Sequence, residues 1–157
     1  MGIRYAHEPV TRALMEEAMP LVERQYAEVF HPCLPPLNMQ IDVYEQVVAL
    51  GMYHAFTART ETGELVGYAS FFVQPMPQFG GVKSALEDGV YVHKGLRGRN
   101  IGGDLIDFAE GAFAAMGIEW VYQHAPEGHK FGSLLKHKGY APVYTLHGKR
   151  LKKSGGE

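Results

Sequence analysis

Apolar positions along the chain change their spacing, and the changes predict a succession of helices and strands. Between residues 11 and 30 they recur at helical spacing, which predicts helix on both sides of Pro20. Proline lacks an amide hydrogen, so we expect a kink or the start of a new helix there. Between residues 52 and 73 two apolar runs flank a turn, as in an antiparallel hairpin. The predicted elements are strand 3–6, helix 11–19 with a continuation from 20, helix 42–51, strands 52–59, 65–73 and 85–93, helix 102–116, strand 119–124, helix 131–138 and strand 140–151.

The order of these elements predicts an α+β fold, similar to an α/β sandwich. We expect a mixed, mostly antiparallel central sheet of six to seven strands with helices on both faces. A helix separates strands 85–93 and 119–124, which predicts that these two are parallel and joined by a right-handed crossover. Because no repeat or linker interrupts the pattern, residues 1–151 should form a single domain, followed by a flexible basic tail over 152–157.

The composition disfavours several classes of function. The 157 residues carry a net charge of −2, with 46% apolar and 20% charged residues, as in an ordinary globular domain. That charge predicts no nucleic-acid partner. The longest apolar runs are far shorter than the roughly 20 residues of a membrane span, so no membrane partner is expected. Cys33 is the only cysteine, which excludes an intrachain disulfide and favours a reducing, cytoplasmic compartment.

Residues 90–109 are the stretch that says most about a ligand. They read as an apolar strand, a glycine-rich basic loop and an amphipathic helix, an order that favours anion binding. Amides at the start of a helix point outward, and Lys94, Arg97 and Arg99 add positive charge beside them. A nucleoside-triphosphate loop needs a Gly-Lys-Ser/Thr step that is absent here, and a dinucleotide fold places its glycine loop after the first strand. We therefore expect a phosphate-containing ligand of another kind.

The segment Arg97-Gly98-Arg99-Asn100-Ile101-Gly102-Gly103 resembles the pyrophosphate-binding loop of the GNAT superfamily of acyl-CoA N-acyltransferases. The family motif is Gln/Arg-x-x-Gly-x-Gly/Ala, with Arg97 at its first position, Gly102 at its last and Asn100 in place of the middle glycine. Asparagine adopts a left-handed backbone more readily than most residues, so the replacement is compatible with the motif. Residues 90–92 are similar to the family's fourth strand, and residues 132–140 to its late helix and the Gly-Tyr that follows.

The resemblance implies that the chain transfers an acyl group, most simply acetyl, from coenzyme A to an amine of a small molecule or protein, with no metal. It implies that acetyl-CoA is bound by Val90, Tyr91, Val92, Arg97, Gly98, Arg99, Asn100, Ile101, Gly102 and Gly103. A backbone amide near Tyr91 or Val92 is expected to stabilise the oxyanion of the tetrahedral intermediate. The family usually closes with two strands, whereas residues 140–151 have room for one. This leaves open that the strand pairs with a second copy in a homodimer.

Two residues are candidates for taking the proton of the attacking amine. Glu87 lies on the fourth strand just before the segment expected to hold pantetheine, and strand alternation turns Asp88 to the other face. His124, at the end of the fifth strand, is the second candidate because histidine titrates near neutral pH. Many GNAT enzymes have a tyrosine on the late helix that protonates the departing thiolate. Leu134 and Leu135 stand there in this chain.

Two other functions remain open at the level of the sequence. The missing tyrosine is compatible with an acyl-CoA-binding protein that transfers nothing and acts as a sensor or inhibitor. A nucleic-acid or protein-binding module could use Arg97, Arg99 and the basic residues 149–153, but the net charge of −2 disfavours it. We expect the early helices, the loop 31–42 and the hairpin tip 75–83 to select the acceptor, whose identity the sequence does not indicate.

Overall fold

The computed structural model describes residues 2–152. These residues form five β-strands, four α-helices and two short 3-10 turns, at Pro77–Phe79 and Lys94–Leu96. The predicted order of elements is confirmed as far as the last helix. Of the predicted basic tail, all but Lys152 lies outside the described residues. In chain order the elements are β1 (Ile3–Glu8), α1 (Arg12–Val29), α2 (Ile41–Ala49), β2 (Tyr53–Thr60), β3 (Leu65–Met76), β4 (Val82–Val92), α3 (Ile101–Ala115), β5 (Trp120–Tyr122) and α4 (Phe131–His137).

The strands form one mixed sheet in the order β1-β2-β3-β4-β5, which confirms the α+β class. Neighbouring strands are antiparallel from β1 to β4. Strand β5 runs parallel to β4, as the intervening helix predicts. The crossover through α3 therefore places the end of β4, the loop after it and the end of β5 at the same edge of the molecule.

The prediction of six to seven strands is wrong for the described residues, because their sheet has five. Residues 140–151 form no strand in this part of the chain. Strand β5 pairs with β4 at only three positions, so its outer edge offers little length to a further strand. Pro142 also lacks the amide hydrogen that a strand ladder requires. The side chains of Tyr144 and Leu146 consequently remain 73% and 79% exposed.

Helix α1 runs without interruption through Pro20, so the expectation that a new helix starts there is wrong. Thr11 caps the first turn as expected, because its side chain accepts a hydrogen bond of 3.1 Å from the amide of Leu14. The proline removes one backbone hydrogen bond from the helix. Leu14 and Leu21, on either side of it, are buried in one apolar cluster against the sheet, so both halves of the helix pack on the same face.

Apolar side chains cover both faces of the sheet. On one face α3 contributes Phe113, whose ring packs edge-on against Phe56 and Phe71 with centroid separations of 5.2 and 4.9 Å. On the other face α1 packs on a second cluster, which includes Tyr68 and Tyr91. The packing of α3 fixes the loop that precedes it relative to β4.

Strand β4 is irregular in the middle of its length. Its register with β3 shifts between Glu87 and Gly89, so Asp88 has no partner on β3. Such an extra residue is a β-bulge, which bends and twists the strand. On its other side β4 pairs with β5 only as far as Leu86. Beyond Leu86 the edge of β4 that faces β5 is unpaired within the described part of the chain.

Candidate active site

The glycine-rich loop enters α3 through a left-handed turn. Asn100 precedes the helix with φ 58° and ψ 23°, and Gly98 has φ 90°. Asn100 therefore adopts the backbone conformation that suits the middle glycine of the motif. The first hydrogen bond inside α3 joins the amide of Asp104 to the carbonyl of Asn100 at 2.9 Å. The amides of residues 101–103 have no partner within the helix, and they can bind the oxygens of a pyrophosphate.

An acidic side chain closes the same turn on the side of β1. Asp104 accepts a hydrogen bond of 3.0 Å from the hydroxyl of Tyr5 and one of 3.2 Å from the side-chain amide of Asn100. Burial, and then the Asp104 carboxylate, raise the pKa of Tyr5 to about 12. The phenol thus stays a donor at physiological pH, and Asp104 is held away from the open amides. Arg99 lies exposed on the loop.

Arg97 connects the loop to α1. Its guanidinium forms an ion pair with Glu28, and its Nε donates a hydrogen bond of 3.3 Å to the carbonyl of Val92. The guanidinium carbon also lies 5.1 Å from the centroid of the Tyr91 ring, a cation–π distance. The hydrogen bond from Arg97 keeps the pKa of Glu28 below its ordinary value. The charge of Arg97 is therefore matched by α1, and this side chain clamps the loop in place.

The stretch Val90–Val92 of β4 lies next to this loop, beyond the part of β4 that pairs with β5, and side chains bind two of its carbonyls: Gln25 donates to that of Val90 at 3.5 Å and Arg97 to that of Val92. Val90 and Val92 pack half-buried against the α3 cluster, whereas Tyr91 is 5% exposed on the opposite face. The hydroxyl of Tyr91 donates a hydrogen bond of 3.0 Å to Glu28. Because β5 ends its pairing at Tyr122, opposite Leu86, a gap opens between the two strands at this level.

Glu87 and His124, predicted as two alternative proton acceptors, are in direct contact across that gap. The Nδ1 atom of His124 lies 2.6 Å from the Oε2 atom of Glu87. The backbone amide of His124 donates a longer hydrogen bond, of 3.4 Å, to the same oxygen. The side chain of Glu87 is 7% exposed and that of His124 is 50% exposed. The buried carboxylate thus holds an imidazole that solvent or substrate can reach.

The contact decides which imidazole nitrogen exchanges a proton. A carboxylate can only accept, so Nδ1 of His124 carries the hydrogen that lies between the two groups. Nε2 is then the atom that gains or loses the second proton. The hydrogen bond to Glu87 raises the pKa of His124 above its ordinary value, and burial opposes this in part. The arrangement can take a proton from an amine and share the resulting charge with Glu87.

Asp88 points to the other face of the sheet, as strand alternation predicts. Its Oδ2 atom accepts hydrogen bonds from the hydroxyls of Tyr44 and Tyr53, at 3.0 and 2.8 Å. Burial, and then the charge of Asp88, raise the pKa of both phenols. This cluster was not predicted from the sequence. Its one sequence signal is a pair of tyrosines at apolar positions, since buried phenols need a hydrogen-bond partner.

The late helix offers no tyrosine to the gap. Leu135 is 6% exposed and belongs to the buried part of α4. Tyr140, just after α4, donates a hydrogen bond of 2.6 Å to Glu110 on α3. Its hydroxyl is therefore engaged with α3.

Neither a metal site nor a membrane span is found in the part of the chain that the structure describes. Among residues 2–152 no three histidine, cysteine, aspartate or glutamate side chains lie close enough together to hold a metal ion. None of the described helices is long and apolar enough to cross a bilayer.

The family of the chain follows from its similarity to known proteins. Residues 14–130 match the model of the acetyltransferase (GNAT) family, and the chain belongs to this family. The matched region includes the loop, Glu87, Asp88 and His124. No curated protein matches the sequence.

Solved structures share the fold along almost the whole chain. Ribosomal-protein-alanine N-acetyltransferase from Brucella melitensis biovar Abortus 2308 has a TM-score of 0.70 at 24% identity, over 96% of this chain and 99% of that one. Glucosamine-6-phosphate N-acetyltransferase from Arabidopsis thaliana has a TM-score of 0.71 at 13% identity, over 95% and 99%. An aminoglycoside acetyltransferase from an uncultured soil metagenomic sample, in complex with trehalose, has a TM-score of 0.74 at 14% identity, over 96% and 97%. At these identities the likeness shows the fold alone.

Replacing Glu87 with glutamine should lower the pKa of His124 toward the ordinary value of about 6.5, because the acceptor of the Nδ1 proton loses its charge. NMR titration of the His124 imidazole measures this change. The raised folded pKa also means that the pair stabilises the protein most when His124 is protonated, and that this stabilisation is lost as the pH rises through the folded pKa. Asp107→Asn is the control, since this exposed carboxylate pairs with Lys138. An unchanged His124 titration in Glu87→Gln would contradict the assignment.

Proposed function

We propose that this GNAT-family acetyltransferase moves an acetyl group from acetyl-CoA to the amine of a small molecule or a protein. One observation carries the proposal. The Glu87–His124 pair lies across the gap where β4 and β5 part, and the same strand leads on to the helix amides of residues 101–103, where Gly102 lies against Val92. A proton acceptor and an anion site thus lie at two points along one strand, between which an acyl carrier with a phosphate group can extend.

The donor is held mainly by backbone groups. The amides of residues 101–103 and the positive end of α3 bind the pyrophosphate of coenzyme A. The open edge of Val90–Val92 binds the amides of pantetheine in the place of a missing strand. Gly98 and Asn100 turn the loop so that the phosphates approach closely, and Lys94 and Arg99 add positive charge at the rim. Arg97 holds this loop against α1 through Glu28.

The reaction is a direct transfer through a tetrahedral intermediate. His124 Nε2 takes a proton from the acceptor ammonium, and Glu87 stabilises the imidazolium that forms. The neutral amine nitrogen attacks the thioester carbon, and a backbone amide near Tyr91 or Val92 donates to the oxyanion. The carbon–sulfur bond then breaks, the nitrogen gives up its second proton to water, and the thiolate leaves. A thiol has a pKa near 8.5, so the thiolate leaves without an acid and takes its proton from water.

The chain works in the cytoplasm as a homodimer in this proposal. Residues 140–151, which form no strand, expose Val143, Tyr144, Leu146 and Leu151 beside the open outer edge of β5. Apolar side chains exposed along one segment are typical of a surface that another chain covers. A second copy would cover this segment.

The dimer can be tested by sedimentation velocity. Leu146→Asp should convert the dimer to a monomer, because it places a charge in the apolar segment, where the side chain is 79% exposed. The control is Leu50→Asp, at a leucine that is 72% exposed after α2. A wild-type protein that sediments as a monomer, or a Leu146→Asp variant that stays dimeric, would contradict the assignment.

A pair of glycine variants on α3 tests the donor site. Gly102→Glu should abolish acetyl-CoA binding in calorimetry, because it places a negative charge among the amides that bind the pyrophosphate. The fold should survive, since a Cβ at Gly102 would lie 3.7 Å from Val92, an ordinary contact. Gly111→Glu adds the same charge to the same helix at a position with open space, and should bind acetyl-CoA normally. Equal affinities for acetyl-CoA would refute the donor site.

The pH dependence of thiol release tests the proton acceptor, and it separates an enzyme from a protein that only binds acyl-CoA. The rate constant kcat should rise with pH through the raised pKa of His124, because only the neutral imidazole accepts a proton. Glu87→Gln should shift this rise to lower pH, and His124→Gln should lower kcat by roughly 10²-fold to 10⁴-fold. Titration of the amine is common to all variants and cancels in the comparison. Asp107→Asn serves again as the control. Coincident profiles would exclude the pair, and binding without thiol release for any amine would exclude the transferase.

A further inference from the structure

The loop before α3 turns at a residue whose backbone needs support. Among residues 2–152, Asn100 is the only residue other than glycine with a positive φ. Asparagine tolerates this conformation better than most residues, but the Cβ still disfavours it. The side chain of Asn100 does not cap the helix, so a capping hydrogen bond does not stabilise the turn. Other contacts of this side chain must favour the left-handed conformation.

One carboxylate connects Asn100 to the edge strand of the sheet. The side-chain amide of Asn100 donates to Oδ1 of Asp104 at 3.2 Å, and the hydroxyl of Tyr5 donates to Oδ2 at 3.0 Å. Tyr5 lies in the middle of β1, opposite Ala58, and its ring centroid is 6.4 Å from that of Phe108 on α3. The chain of contacts from Tyr5 through Asp104 therefore anchors the loop residue to the packed sheet.

The position of Asp104 is unfavourable for an anion site unless the carboxylate has another task. A negative charge in the first turn of a helix competes with an anionic ligand for the positive end of the helix dipole. Both oxygens of Asp104 are bound to donors from β1 and the loop. These contacts direct the carboxylate toward β1, and they give it a task in holding the turn.

A glycine leaves the space that the Asn100 side chain occupies. A Cβ added at Gly103 would overlap the side-chain oxygen of Asn100, and the three nearest atoms all belong to that side chain. Gly103 is buried in the first turn of α3, where alanine would be the better helix former. The side chain of Asn100 is thus confined between Gly103 on one side and Asp104 on the other.

We propose that Tyr5 and Asp104 are positioning residues of the acetyl-CoA site, because they hold Asn100 in its left-handed conformation, for which Gly103 leaves room. This inference rests on the proposed function, since the site is the donor site of that reaction. The turn at Asn100 sets the direction of the amides of residues 101–103. A turn that is fixed before the pyrophosphate arrives lowers the cost of ordering these amides on binding.

Calorimetry with acetyl-CoA tests the anchor on β1. Tyr5→Phe should weaken binding by about 3-fold to 10-fold, the range expected when one hydrogen bond is lost, while the aromatic ring is kept. Tyr140→Phe is the matched control, because it removes a hydroxyl that also donates to a carboxylate of α3, that of Glu110. This control should bind acetyl-CoA normally. Equal affinities of wild type and Tyr5→Phe would overturn the proposal.

A glycine at position 100 shows whether Tyr5 acts through Asn100. In an Asn100→Gly background, Tyr5→Phe should change the acetyl-CoA affinity by no more than about 2-fold, because the side chain that it helps to hold is gone. Asn100→Ala should bind about 5-fold to 30-fold more weakly than Asn100→Gly, since alanine disfavours a positive φ. A full effect of Tyr5→Phe in the Asn100→Gly background would overturn the proposal, as would equal binding by the glycine and alanine variants.

A second pair of variants tests the space at Gly103. Gly103→Ala should weaken acetyl-CoA binding at least as much as Tyr5→Phe, because the methyl group displaces the side chain of Asn100. Alanine favours the helix, so a less stable helix does not account for this loss. The effect should disappear in the Asn100→Gly background. Gly111→Ala, at a position with open space on the same helix, is the control. Normal binding by Gly103→Ala would overturn this part of the proposal.

Two further measurements separate this inference from the proposed function. In thiol release, Tyr5→Phe should raise the KM of acetyl-CoA by a larger factor than it lowers kcat, and a loss confined to kcat would overturn the positioning role. In the free protein, the backbone NMR signals of Asn100 report its φ. They should shift in Tyr5→Phe and Gly103→Ala and stay in place in Tyr140→Phe and Gly111→Ala. A wild-type protein that does not bind acetyl-CoA would refute the proposed function, whereas unchanged NMR signals would overturn the anchor whether or not the ligand binds.

Discussion

The site depends on β4 losing its strand neighbour halfway along its length. Pairing with β5 ends at Leu86, and the bulge at Asp88 follows within two residues. A strand in a regular sheet would direct its backbone groups to its neighbours on both sides. Here one strand places the carboxylate of Glu87 at the gap, that of Asp88 on the α2 face, and the backbone of Val90–Val92 beyond the pairing with β5. One irregular strand thus carries the residues proposed for proton transfer and for binding the acetyl donor.

The same bulge also separates the two negative charges of this strand, those of Glu87 and Asp88. Each carboxylate of the pair Glu87 and Asp88 has its own donors on its own face: an imidazole for one and two phenols for the other. If both faced one side, their repulsion would oppose the ionisation of one of them. The bulge separates them although they are neighbours in the sequence. Two neighbouring carboxylates can therefore make separate contacts, one with a histidine and one with two phenols.

Much of the fold could be predicted from the sequence, because the spacing of apolar residues in a long segment indicates both its secondary structure and its buried face. The hairpin, α3, the parallel β5 and the left-handed turn at Asn100 follow from local patterns. The continuity of α1 through Pro20 does not, since packing of Leu14 and Leu21 outweighs one lost hydrogen bond. The strand predicted over residues 140–151 does not form for a related reason. An apolar pattern indicates a strand, but a strand also needs a neighbouring strand that is long enough to pair with it.

The candidate site shows the same limit. Glu87 and His124 could each be named from position and chemistry, yet their contact depends on where two strands part, which no local pattern records. The partners of Asp88 were missed because Tyr44 and Tyr53 come from α2 and β2, whose placement over the bulge is a tertiary property. Sequence patterns locate residues on elements, whereas the contacts between elements require the folded chain.

The clamp between Arg97 and Glu28 has a consequence for how such a protein can diverge. With that arginine neutralised by α1, the proposed pyrophosphate site relies chiefly on main-chain amides, which every residue except proline supplies. On that proposal, the donor side tolerates wide replacement of side chains as long as the backbone conformation is kept. The acceptor is expected to meet the side chains of the early helices and of the loops beside them, and each replacement there alters what fits. On the same proposal, related proteins can change the amine that they acetylate while they continue to bind coenzyme A in the same way.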